Sequence, residues 1–410
     1  MALNDSRDIW KDGLSDAVSE GHSPTPERYS IARLTLTGFR SYERLRLEVD
    51  ERPVILSGPN GAGKTNLLEA VSFLVPGRGL RNARLGEVAM RADGGQELDT
   101  GQPWAVAATV RTPMGPVDLG TGREPAMAAN GRDRRAVRID GDDARGQAAL
   151  GEHLAAVWLT PRMDRLFVEG ASARRRFIDR MVFGFDPAHA GRVSAFENAA
   201  RERIRLLRGP QAADPVWLGA LEETMAGRGV AITAARKETV ARLAAFCEQP
   251  VGPFPGARIV LEGVLEEWLD EGPALAAEDR FRAALADHRR GDAESGRAAV
   301  GPHRSDLRVF DAQSATPAAQ SSTGQQKALL IAIVLAGARM QAAERGRVPV
   351  LLLDEVAAHL DASRREALFA ELQALGAQAW LAGTDVETFA PLRGTAQFFG
   401  IAEASVTPIG

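Results

Sequence analysis

Alternating apolar and polar positions give the first regular pattern in the chain. Apolar and polar residues alternate over 34–36 and 45–49, which predicts two half-buried β-strands joined by a turn at 38–42. The apolar run 54–56 predicts a third strand directly after this hairpin. The segment 1–28, by contrast, mixes Asp, Ser, Gly, Pro and Glu without a period, and it is predicted to be a disordered tail.

A second β pattern follows further along the chain. Segments 104–110, 116–119 and 136–139 have strand composition, with a Gly/Pro turn between the first two. This pattern predicts an antiparallel meander beside the first hairpin. A helical pattern then covers 173–183.

The middle of the chain is mostly helical in pattern. Helical spacing with many charged residues recurs in three stretches, 193–207, 215–247 and 278–288. Only 257–261 has a convincing strand pattern there. We therefore predict a mostly helical second domain, residues 187–298, inserted into a first domain formed by 29–186 and 299–410. Because its apolar repeat is not a sustained heptad, an extended coiled coil is not expected.

A glycine-rich loop lies between the strand predicted at 54–56 and a helix. It consists of Gly58, Pro59, Asn60, Gly61, Ala62, Gly63, Lys64 and Thr65. This is the strand–G-x-x-x-x-G-K-[ST]–helix context of a P-loop. Glycines let the backbone wrap a triphosphate with its N–H groups pointing inward, and the helix N-terminus adds the positive end of its dipole. We therefore predict that these residues bind ATP.

Lysine is rare in this chain, which strengthens the prediction for Lys64. Lys and Arg together number 50, and only four of them are lysines. These four are Lys11, Lys64, Lys237 and Lys327. A compact ammonium group reaches between the β- and γ-phosphates of a nucleotide, where a planar guanidinium does not fit. Lys64 is accordingly predicted to be catalytic.

The apolar run 350–353 ends in two carboxylates, Asp354 and Glu355. A run without alternation predicts a parallel strand that is buried on both faces, with its acids at the carboxyl end where open α/β sheets bind ligands. Asp354 is predicted to hold Mg²⁺ together with the Thr65 hydroxyl. Glu355 is predicted to orient or deprotonate the attacking water.

Residues 322–327 precede a long apolar helix. Ser322 and Gln325 form an S-x-x-Q capping box. Lys327 lies in the first turn, where the helix dipole disfavours a cation, so an anionic partner is expected nearby. Followed by the Asp-Glu strand end, the sequence Ser-Thr-Gly-Gln from residue 322 resembles the signature of ABC-type ATPases.

The resemblance to ABC-type ATPases implies a composite site shared by two subunits. In such proteins the signature helix faces the γ-phosphate that a second subunit holds. The residues expected to act in trans across an ATP-dependent homodimer are Ser322, Gly324, Gln325 and Lys327. Asp361 resembles the D-loop residue at that seam. The family's switch histidine is missing, with Thr384 as a stand-in, and a clear Q-loop glutamine is absent around 159–161.

Composition limits the class of protein. The 410 residues are 45% apolar and 25% charged, which is typical of a folded chain of two or three domains. Its single cysteine, Cys247, excludes internal disulfides and a Cys-based metal site, and its apolar helical context predicts a buried thiol. We expect a cytoplasmic protein without a membrane partner, because there is no apolar signal-peptide core and the longest apolar run, 328–338, is too short to span a bilayer.

Charge is distributed unevenly along the chain. The net charge of −4 means that any contact with nucleic acid must rest on a local basic surface. The stretch 171–208 contains nine arginines and four acids, whereas 209–300 contains ten bases and fifteen acids. If the basic stretch lines a cleft, it would bind DNA phosphates without sequence preference. A second candidate patch consists of Arg132, Arg134, Arg135 and Arg138.

Several segments, in chain order, resemble the RecF family. They are 34–42, Thr65–Ala70, Gly77–Arg81, Gly170–Asp179, Gly301–Asp306 and Ser322–Lys327. The combination of Gly-Pro-His-Arg and Gly-Gln-Gln-Lys is distinctive of that family. The 290 positions between Lys64 and Asp354 leave room for a compact arm only. An SMC-like chromosome-associated head would need a long coiled coil, and a transporter ATPase subunit a shorter spacing; both remain as alternatives.

The resemblance to RecF implies both fold and function. It implies an α/β fold, an ABC-type P-loop ATPase head in which a mixed sheet accompanies the antiparallel meander, with an inserted mostly helical domain. It implies a DNA replication and repair protein that dimerises on ATP, binds duplex DNA near single-strand junctions and acts with RecO and RecR to load recombinase at gaps. Its ATP hydrolysis would be slow and DNA-stimulated, with Mg²⁺ as cofactor.

Some residue roles also follow from the resemblance. Arg40 is expected either to touch the nucleotide or to have a structural role. The DNA-binding candidates are Arg174, Arg175 and Arg176. His303 and Arg304 are expected to couple the nucleotide site to the second domain, without an assigned chemistry.

Overall fold

The computed structural model describes residues 27–90, 102–124, 134–211 and 213–409. Within these ranges the strands are β1 (Glu27–Arg28), β2 (Ser30–Phe39), β3 (Tyr42–Glu48), β4 (Val54–Ser57), β5 (Trp104–Thr112), β6 (Gly115–Glu124), β7 (Arg134–Ile139), β8 (Asp142–Asp143), β9 (Ala156–Leu159), β10 (Ala257–Glu262), β11 (Asp306–Asp311), β12 (Arg347–Val348), β13 (Val350–Asp354), β14 (Ala379–Gly383), β15 (Gln397–Ala402) and β16 (Ser405–Ile409).

Helices lie between several of these strands, in some places two or three in succession. The α-helices are α1 (Lys64–Ser72), α2 (Leu85–Val88), α3 (Ala171–Phe183), α4 (His189–Leu207), α5 (Pro215–Cys247), α6 (Val264–Glu271), α7 (Ala274–Asp287), α8 (Arg289–Ser295), α9 (Thr323–Arg345) and α10 (Ala362–Leu375). Short 3₁₀ turns occur at Gln147–Glu152, Pro161–Arg165, Ala318–Gln320, Ala357–His359 and Val386–Leu392.

The central sheet brings together the strands that carry the two nucleotide motifs. Its order is β16-β15-β4-β14-β13-β9, and its neighbouring strands run parallel except for the antiparallel pair β15–β16. Only β14 separates β4 from β13, so the P-loop and the Asp354–Glu355 pair leave the sheet at the same edge. All five residues of β13 are buried, as predicted for a strand covered on both faces.

The second sheet is the predicted hairpin and meander. Its order is β3-β2-β5-β6-β7-β8, and every neighbouring pair is antiparallel. Its apolar face shares a core with α1. In that core Phe39, Phe73 and Trp104 pack edge to face, with ring centroids 5.2 to 5.9 Å apart. The chain therefore has the predicted α/β fold, with a mixed sheet beside an antiparallel meander.

Helix α9 is buried over most of its length. Residues 326–338 are covered throughout, because the helix packs among the central sheet, α3 and α5. At Gly337 an added Cβ would lie 2.9 Å from the Met181 sulfur, so α3 approaches α9 closely. A helix that is apolar on all sides is stable only in such a position. Its start at residue 323 is consequently fixed relative to the sheet.

The segment from α4 to α8 is mostly helical and has an apolar core of its own. Phe196, Met225, Val230 and Phe281 are among the side chains of that core. Helix α5 extends beyond it, since its C-terminal end packs into the core of the central sheet near Cys247. Burial raises the pKa of the Cys247 thiol to about 12, which fits the predicted structural thiol.

The domain boundaries at 186/187 and 298/299 stay a prediction. Strand β10 of the predicted insert pairs with β11 of the predicted first domain, and α5 contributes to both cores. The predicted tail 1–28 lies outside the described residues except for its last two, which form β1 and pair in parallel with β12. None of the helices in the described ranges has the length and apolar character needed to cross a bilayer.

Candidate active site

The P-loop wraps from the end of β4 to the start of α1. Gly58, Gly61 and Gly63 have φ angles of +154°, +82° and +116°, a region that side chains rarely adopt. At Gly63 an added Cβ would also lie 2.6 Å from the Tyr42 hydroxyl oxygen. Gly63 is the N-cap of α1 and has no side chain with which to cap it, so the first N–H groups of the helix remain available for an anion.

Lys64 lies across this loop. Its Nζ donates to the carbonyl oxygens of Gly58 and Pro59 at 2.6 and 3.0 Å. The same Nζ is 3.6 Å from Glu355 Oε1. The Lys64 side chain is only 5% exposed, so its charge is directed at this small region rather than at bulk water. The predicted ATP-binding lysine and the predicted general base are therefore neighbours.

Thr65 and Asp354 also meet as predicted. The Thr65 hydroxyl is 3.0 Å from each carboxylate oxygen of Asp354. Burial raises the pKa of Asp354, the Thr65 hydrogen bond opposes that change, and the charge of Glu355 adds to it. A cation would offset the energetic penalty of this buried carboxylate. One hydroxyl and one carboxylate are oxygen ligands that suit Mg²⁺, which usually keeps water and phosphate oxygens as its other ligands.

No larger metal cluster competes with this pair in the described part of the chain. There, no group of three or more His, Cys, Asp or Glu side chains is arranged to hold a metal ion. The residues present fit the ion that the sequence implies.

Glu355 has an unusual backbone conformation. Its φ is +54°, in the left-handed region that non-glycine residues adopt uncommonly. Its N–H donates to the carbonyl oxygen of Ala382 at 3.0 Å, which ties the turn to β14. Such strain persists where the surrounding structure enforces it, and it is common at functional sites.

The positions expected for the switch and the Q-loop lie at the same end of the central sheet. Thr384 follows β14, is exposed, and lines an open cavity together with Ser57 and Gly58. Thr160 follows β9, the strand next to β13, and it stands where a Q-loop would begin. Thr384 thus lies where the family pattern predicts the switch histidine, and Thr160 lies where it predicts the Q-loop glutamine.

The signature segment begins α9 with the predicted capping box. Ser322 Oγ accepts a hydrogen bond from the Gln325 backbone N–H at 3.3 Å, and the Ser322 N–H donates to Gln325 Oε1 at 3.1 Å. Residues 322–325 are all exposed. At Gly324 an added Cβ would find Arg364 Nη1 at 4.0 Å, so the signature lies beside the start of α10. Asp361 is the N-cap of α10, accepting from the Arg364 N–H at 2.9 Å.

Lys327 is buried and bound within the chain, whereas the other signature residues are exposed. Its side chain is 9% exposed, and its Nζ lies 3.4 Å from Asp164 Oδ2 of the same chain. An aspartate just after β9 is therefore an anionic partner of Lys327, and the expected role of Lys327 in trans stays a prediction. Asp164 is 163 positions away, and no local pattern could have identified it.

Arg40 is also bound within the chain. Its guanidinium makes two hydrogen bonds to Glu69, at 2.7 and 2.8 Å, and a third to the Glu87 carbonyl oxygen. Arg81 donates to the same Glu69 at 2.7 Å. Glu69 is fully buried in α1, so Arg40 fixes the helix that follows the P-loop. The expected contact between Arg40 and the nucleotide stays a prediction.

The three arginines proposed for DNA binding have different environments. Arg174 donates to both carboxylate oxygens of Asp306, at 2.7 and 3.0 Å. Arg175 donates to the Ser305 carbonyl oxygen at 2.7 Å. Arg176 is exposed. The basic stretch 171–208 is thus not wholly a surface, because some of its arginines bind groups within the same chain.

The most buried of these structural arginines is Arg203, in the core of the helical segment. It is 0% exposed and binds Glu222 and Asp292 at 2.9 and 2.7 Å. A buried charge of this kind is stable only when it is paired. Counting charges along the sequence therefore overestimated the basic surface.

The second candidate patch is not a surface patch at Arg135. This side chain donates to the carbonyl oxygens of Phe73 and Gly77 and to Gln147 Oε1, and its burial lowers its pKa to about 10. Arg138 pairs with Asp143 at 3.0 Å. Arg132 lies outside the described residues. The prediction was wrong for Arg135 because β7 turns that side chain towards α1.

His303 and Arg304 share one acceptor. Both side chains hydrogen-bond to the carbonyl oxygen of Ala298, at 2.9 Å from His303 Nε2 and at 3.0 and 3.2 Å from Arg304. The preceding Pro302 accepts from Arg236, which in turn binds Asp179 of α3. Through Arg236, these contacts join the helical segment to α3. The expected coupling of His303 and Arg304 to the nucleotide site stays a prediction.

Comparisons with known proteins agree with this geometry. Residues 30–391 match the family described as RecF/RecN/SMC N terminal domain. The chain is 47% identical over 386 residues to the DNA replication and repair protein RecF of Mesorhizobium japonicum, covering 93% of this chain and 99% of that protein. It is 48% identical over 395 residues to the protein of the same name from Caulobacter sp. strain K31, with the same coverage.

Solved structures give the same answer for the fold. The recombination mediator protein RecF bound to ATPrS superposes with a TM-score of 0.79 at 20% identity, covering 94% of this chain and all of that one. The Smc head domain of Pyrococcus furiosus with an extended coiled coil gives a TM-score of 0.50 at 15% identity, covering 93% of this chain and 96% of that one. These similarities support an ABC-type head.

Proposed function

This chain belongs to the RecF family of DNA replication and repair proteins, and on that premise we propose that it is an ATP-gated DNA-binding protein. Two copies sandwich ATP, and the dimer binds duplex DNA near single-strand junctions. With RecO and RecR it helps to load recombinase at gaps. The family assignment favours this function over the transporter subunit and the SMC-like chromosome-associated head that the sequence left open.

The observation that carries the proposal is the contrast between two parts of one ABC-type site. Lys64, Thr65, Asp354 and Glu355 converge at one edge of the central sheet. The signature residues 322–325 are exposed, and Ser322 and Gln325 hydrogen-bond to each other. A surface with this local order suits contact with a triphosphate that a second copy holds.

Each side chain at the P-loop has a defined task in ATP hydrolysis. Lys64 Nζ donates to the Gly58 and Pro59 carbonyl oxygens in the nucleotide-free protein. When a triphosphate binds, Lys64 replaces these bonds with stronger, charge-assisted bonds to phosphate oxygens. Asp354 and the Thr65 hydroxyl would hold Mg²⁺, which would supply charge stabilisation at the phosphates. Glu355 accepts a proton from, or orients, the water that attacks the γ-phosphate.

Dimerisation completes the site in this proposal. The first N–H groups of α9 and the Ser322 hydroxyl face the γ-phosphate of the partner, and Asp361 lies along the seam. Because Lys327 is bound by Asp164, we propose that it fixes the position of α9 and does not contact the partner's nucleotide. Hydrolysis is slow, and DNA stimulates it by favouring the closed dimer.

Arg176 is our preferred DNA contact among the three candidates. It is exposed, whereas Asp306 binds Arg174 and the Ser305 carbonyl oxygen binds Arg175. A free guanidinium at the surface can neutralise a phosphate and release counterions, which makes binding salt-dependent. Arg174 and Arg175 then support the helix that presents it.

The test is a DNA titration with a variant that retains ATP. Glu355→Gln should bind ATP and stay dimeric in light scattering with saturating ATP and Mg²⁺, because its amide cannot accept the proton of the attacking water. We expect this variant to bind gapped and duplex DNA at least about tenfold more tightly with ATP than without. A monomeric Glu355→Gln protein, or equal DNA affinity with and without ATP, would refute the ATP-gated dimer.

A further inference from the structure

A cavity of about 490 Å³ lies between the P-loop side of the molecule and the helical segment. The loop 77–82, the segment 160–169, α3 and α4 contribute most of its walls. Seven of its lining residues are arginines and three are acids. The volume is in the range of small-molecule binding sites.

Part of this positive charge is neutralised inside the protein. Arg81 pairs with Glu69 at 2.7 Å, and Arg236 pairs with Asp179 at 2.8 Å. His189 also binds Asp179, at 2.7 Å. Both carboxylate oxygens of Asp179 are thus already engaged, by Arg236 and by His189.

Arg180 lines the cavity and has no ion pair with a carboxylate among the described residues. Its guanidinium carbon lies 4.6 Å from the centre of the Trp158 ring and 5.5 Å from that of Phe177. Its Nη2 is 3.6 Å from the Met163 sulfur, a weak acceptor, and its buried Nε has no hydrogen-bond partner in the described part of the chain. Aromatic faces favour the cation but do not satisfy its donors.

The charge of Arg180 is poorly stabilised as a result. Burial lowers the pKa of Arg180 to about 9, and the nearby charge of Arg176 adds to this effect. A buried donor without an acceptor destabilises the folded state. An anion in the cavity would supply both an opposite charge and the missing acceptor.

We propose that this cavity binds a phosphoryl group, with Arg180 as its inner ligand and Arg176 at its mouth. Guanidinium groups recognise phosphate through paired hydrogen bonds. Several guanidinium groups together have more N–H donors than one carboxylate can accept. The phosphoryl group comes either from nucleic acid or from a free phosphate. The site is separate from the P-loop, whose residues do not line this cavity.

The experiment uses the full chain with Lys64→Ala, so that the P-loop contributes little. Inorganic phosphate and a short single-stranded oligonucleotide, with either a 5′-phosphate or a 5′-hydroxyl, are titrated by calorimetry. In that background Arg180→Met and Arg176→Ala should each weaken binding by about tenfold, the typical effect of losing one charge-assisted contact. Arg201→Ala is the matched control, because Arg201 is exposed on α4 and does not line the cavity.

The three probes distinguish the sources of the phosphoryl group. Preference for the 5′-phosphorylated strand indicates a terminal phosphate, equal binding of both strands indicates the backbone, and binding of inorganic phosphate alone indicates a free anion. If no probe binds, or if Arg176→Ala and Arg201→Ala bind alike, the site does not exist. Arg176 is exposed, so this result stands even if Arg180→Met fails to fold.

This inference shares Arg176 with the DNA contact proposed above, but it is independent of the ATP site and of the dimer. Phosphate binding to the cavity requires neither ATP nor a second copy of the chain. Its failure would therefore leave the ATP-gated dimer intact. Conversely, a monomeric Glu355→Gln protein would leave the cavity site untouched.

Discussion

The P-loop and the start of α9 both present backbone N–H groups at a helix N-terminus, yet they are built differently. At the P-loop, Lys64 is buried and bound to loop carbonyls, and Thr65 is bound to Asp354 on another strand. At the start of α9, Ser322 and Gln325 are exposed and satisfy each other. The first region obtains its geometry from tertiary contacts, and the second from local capping.

This difference supports the proposal that one chain contains two halves of a site. A half that holds a ligand needs side chains from several strands, fixed by the fold. A half that meets a ligand on another molecule needs a rigid local shape and free access. The capping box supplies that shape, since it ties the first turn without using groups elsewhere in the chain.

Removing Lys64 should have the largest effect on this comparison. We expect Lys64→Ala to weaken ATP binding by about 100-fold, because several charge-assisted bonds to the phosphates are lost. Lys237→Ala is the control, since Lys237 pairs with Asp270 in the helical segment. Calorimetric titration with ATP measures both. Unchanged affinity in Lys64→Ala would mean that the P-loop is not the half that holds the ligand.

Changing Gly324 should affect dimerisation but not ATP binding by one copy. An added Cβ there has space, and an acid in the first turn favours the helix. We expect Gly324→Asp to weaken ATP-dependent dimerisation by at least about tenfold relative to the isosteric Gly324→Asn, because like charges repel. Analytical ultracentrifugation with ATP measures the dimer. Equal dimerisation of the two variants would show that the signature does not face a triphosphate.

The smallest effect is expected on the stability of the nucleotide-free protein. Burial raises the pKa of Asp354, so at neutral pH its ionised form lowers the free energy of unfolding. Asp354→Asn should therefore raise the melting temperature at pH 7, by on the order of 1–2 °C. The gain should shrink as the pH falls through the raised pKa and vanish below about 3.8, the usual Asp value, where both states are protonated.

The Asp354→Asn protein should at the same time lose Mg²⁺-dependent ATP binding. Scanning calorimetry over a pH series, with and without Mg²⁺ and ATP, measures both effects. If the variant is less stable than the wild type at pH 7, the ionised Asp354 carboxylate does not destabilise the nucleotide-free protein. Such a result would mean that the P-loop region, like the signature region, contains no destabilising charge.

Motifs that are contiguous in sequence were predicted well. The P-loop, the strand ending in Asp354 and the capping box of α9 all have the predicted local structure. Helix α5 has the predicted bounds, because Asp214 caps it by accepting from the Val216 N–H and Pro215 occupies the first turn. Each of these features depends on neighbours within a few residues.

Charged side chains were predicted less well. The pattern of nine arginines in 171–208 gave no sign that Arg203 would be fully buried, or that Arg174 would pair with Asp306. The partner of an arginine is chosen by the packing of distant segments, here 132 positions apart for Arg174. Counting charges along the sequence therefore gives the composition of a segment, but it does not show which charged side chains are exposed.

The sequence by itself determined the class of fold, the phosphate-binding loop and the family, because periodicity, glycine spacing and motif order are local properties. Only the tertiary structure decided that Asp164 neutralises Lys327, that Glu69 holds Arg40, and that Arg180 lines a cavity without an ion pair to any described carboxylate. The physical reason is that electrostatic partners are set by distance in space, and the fold brings together residues that no sequence pattern connects.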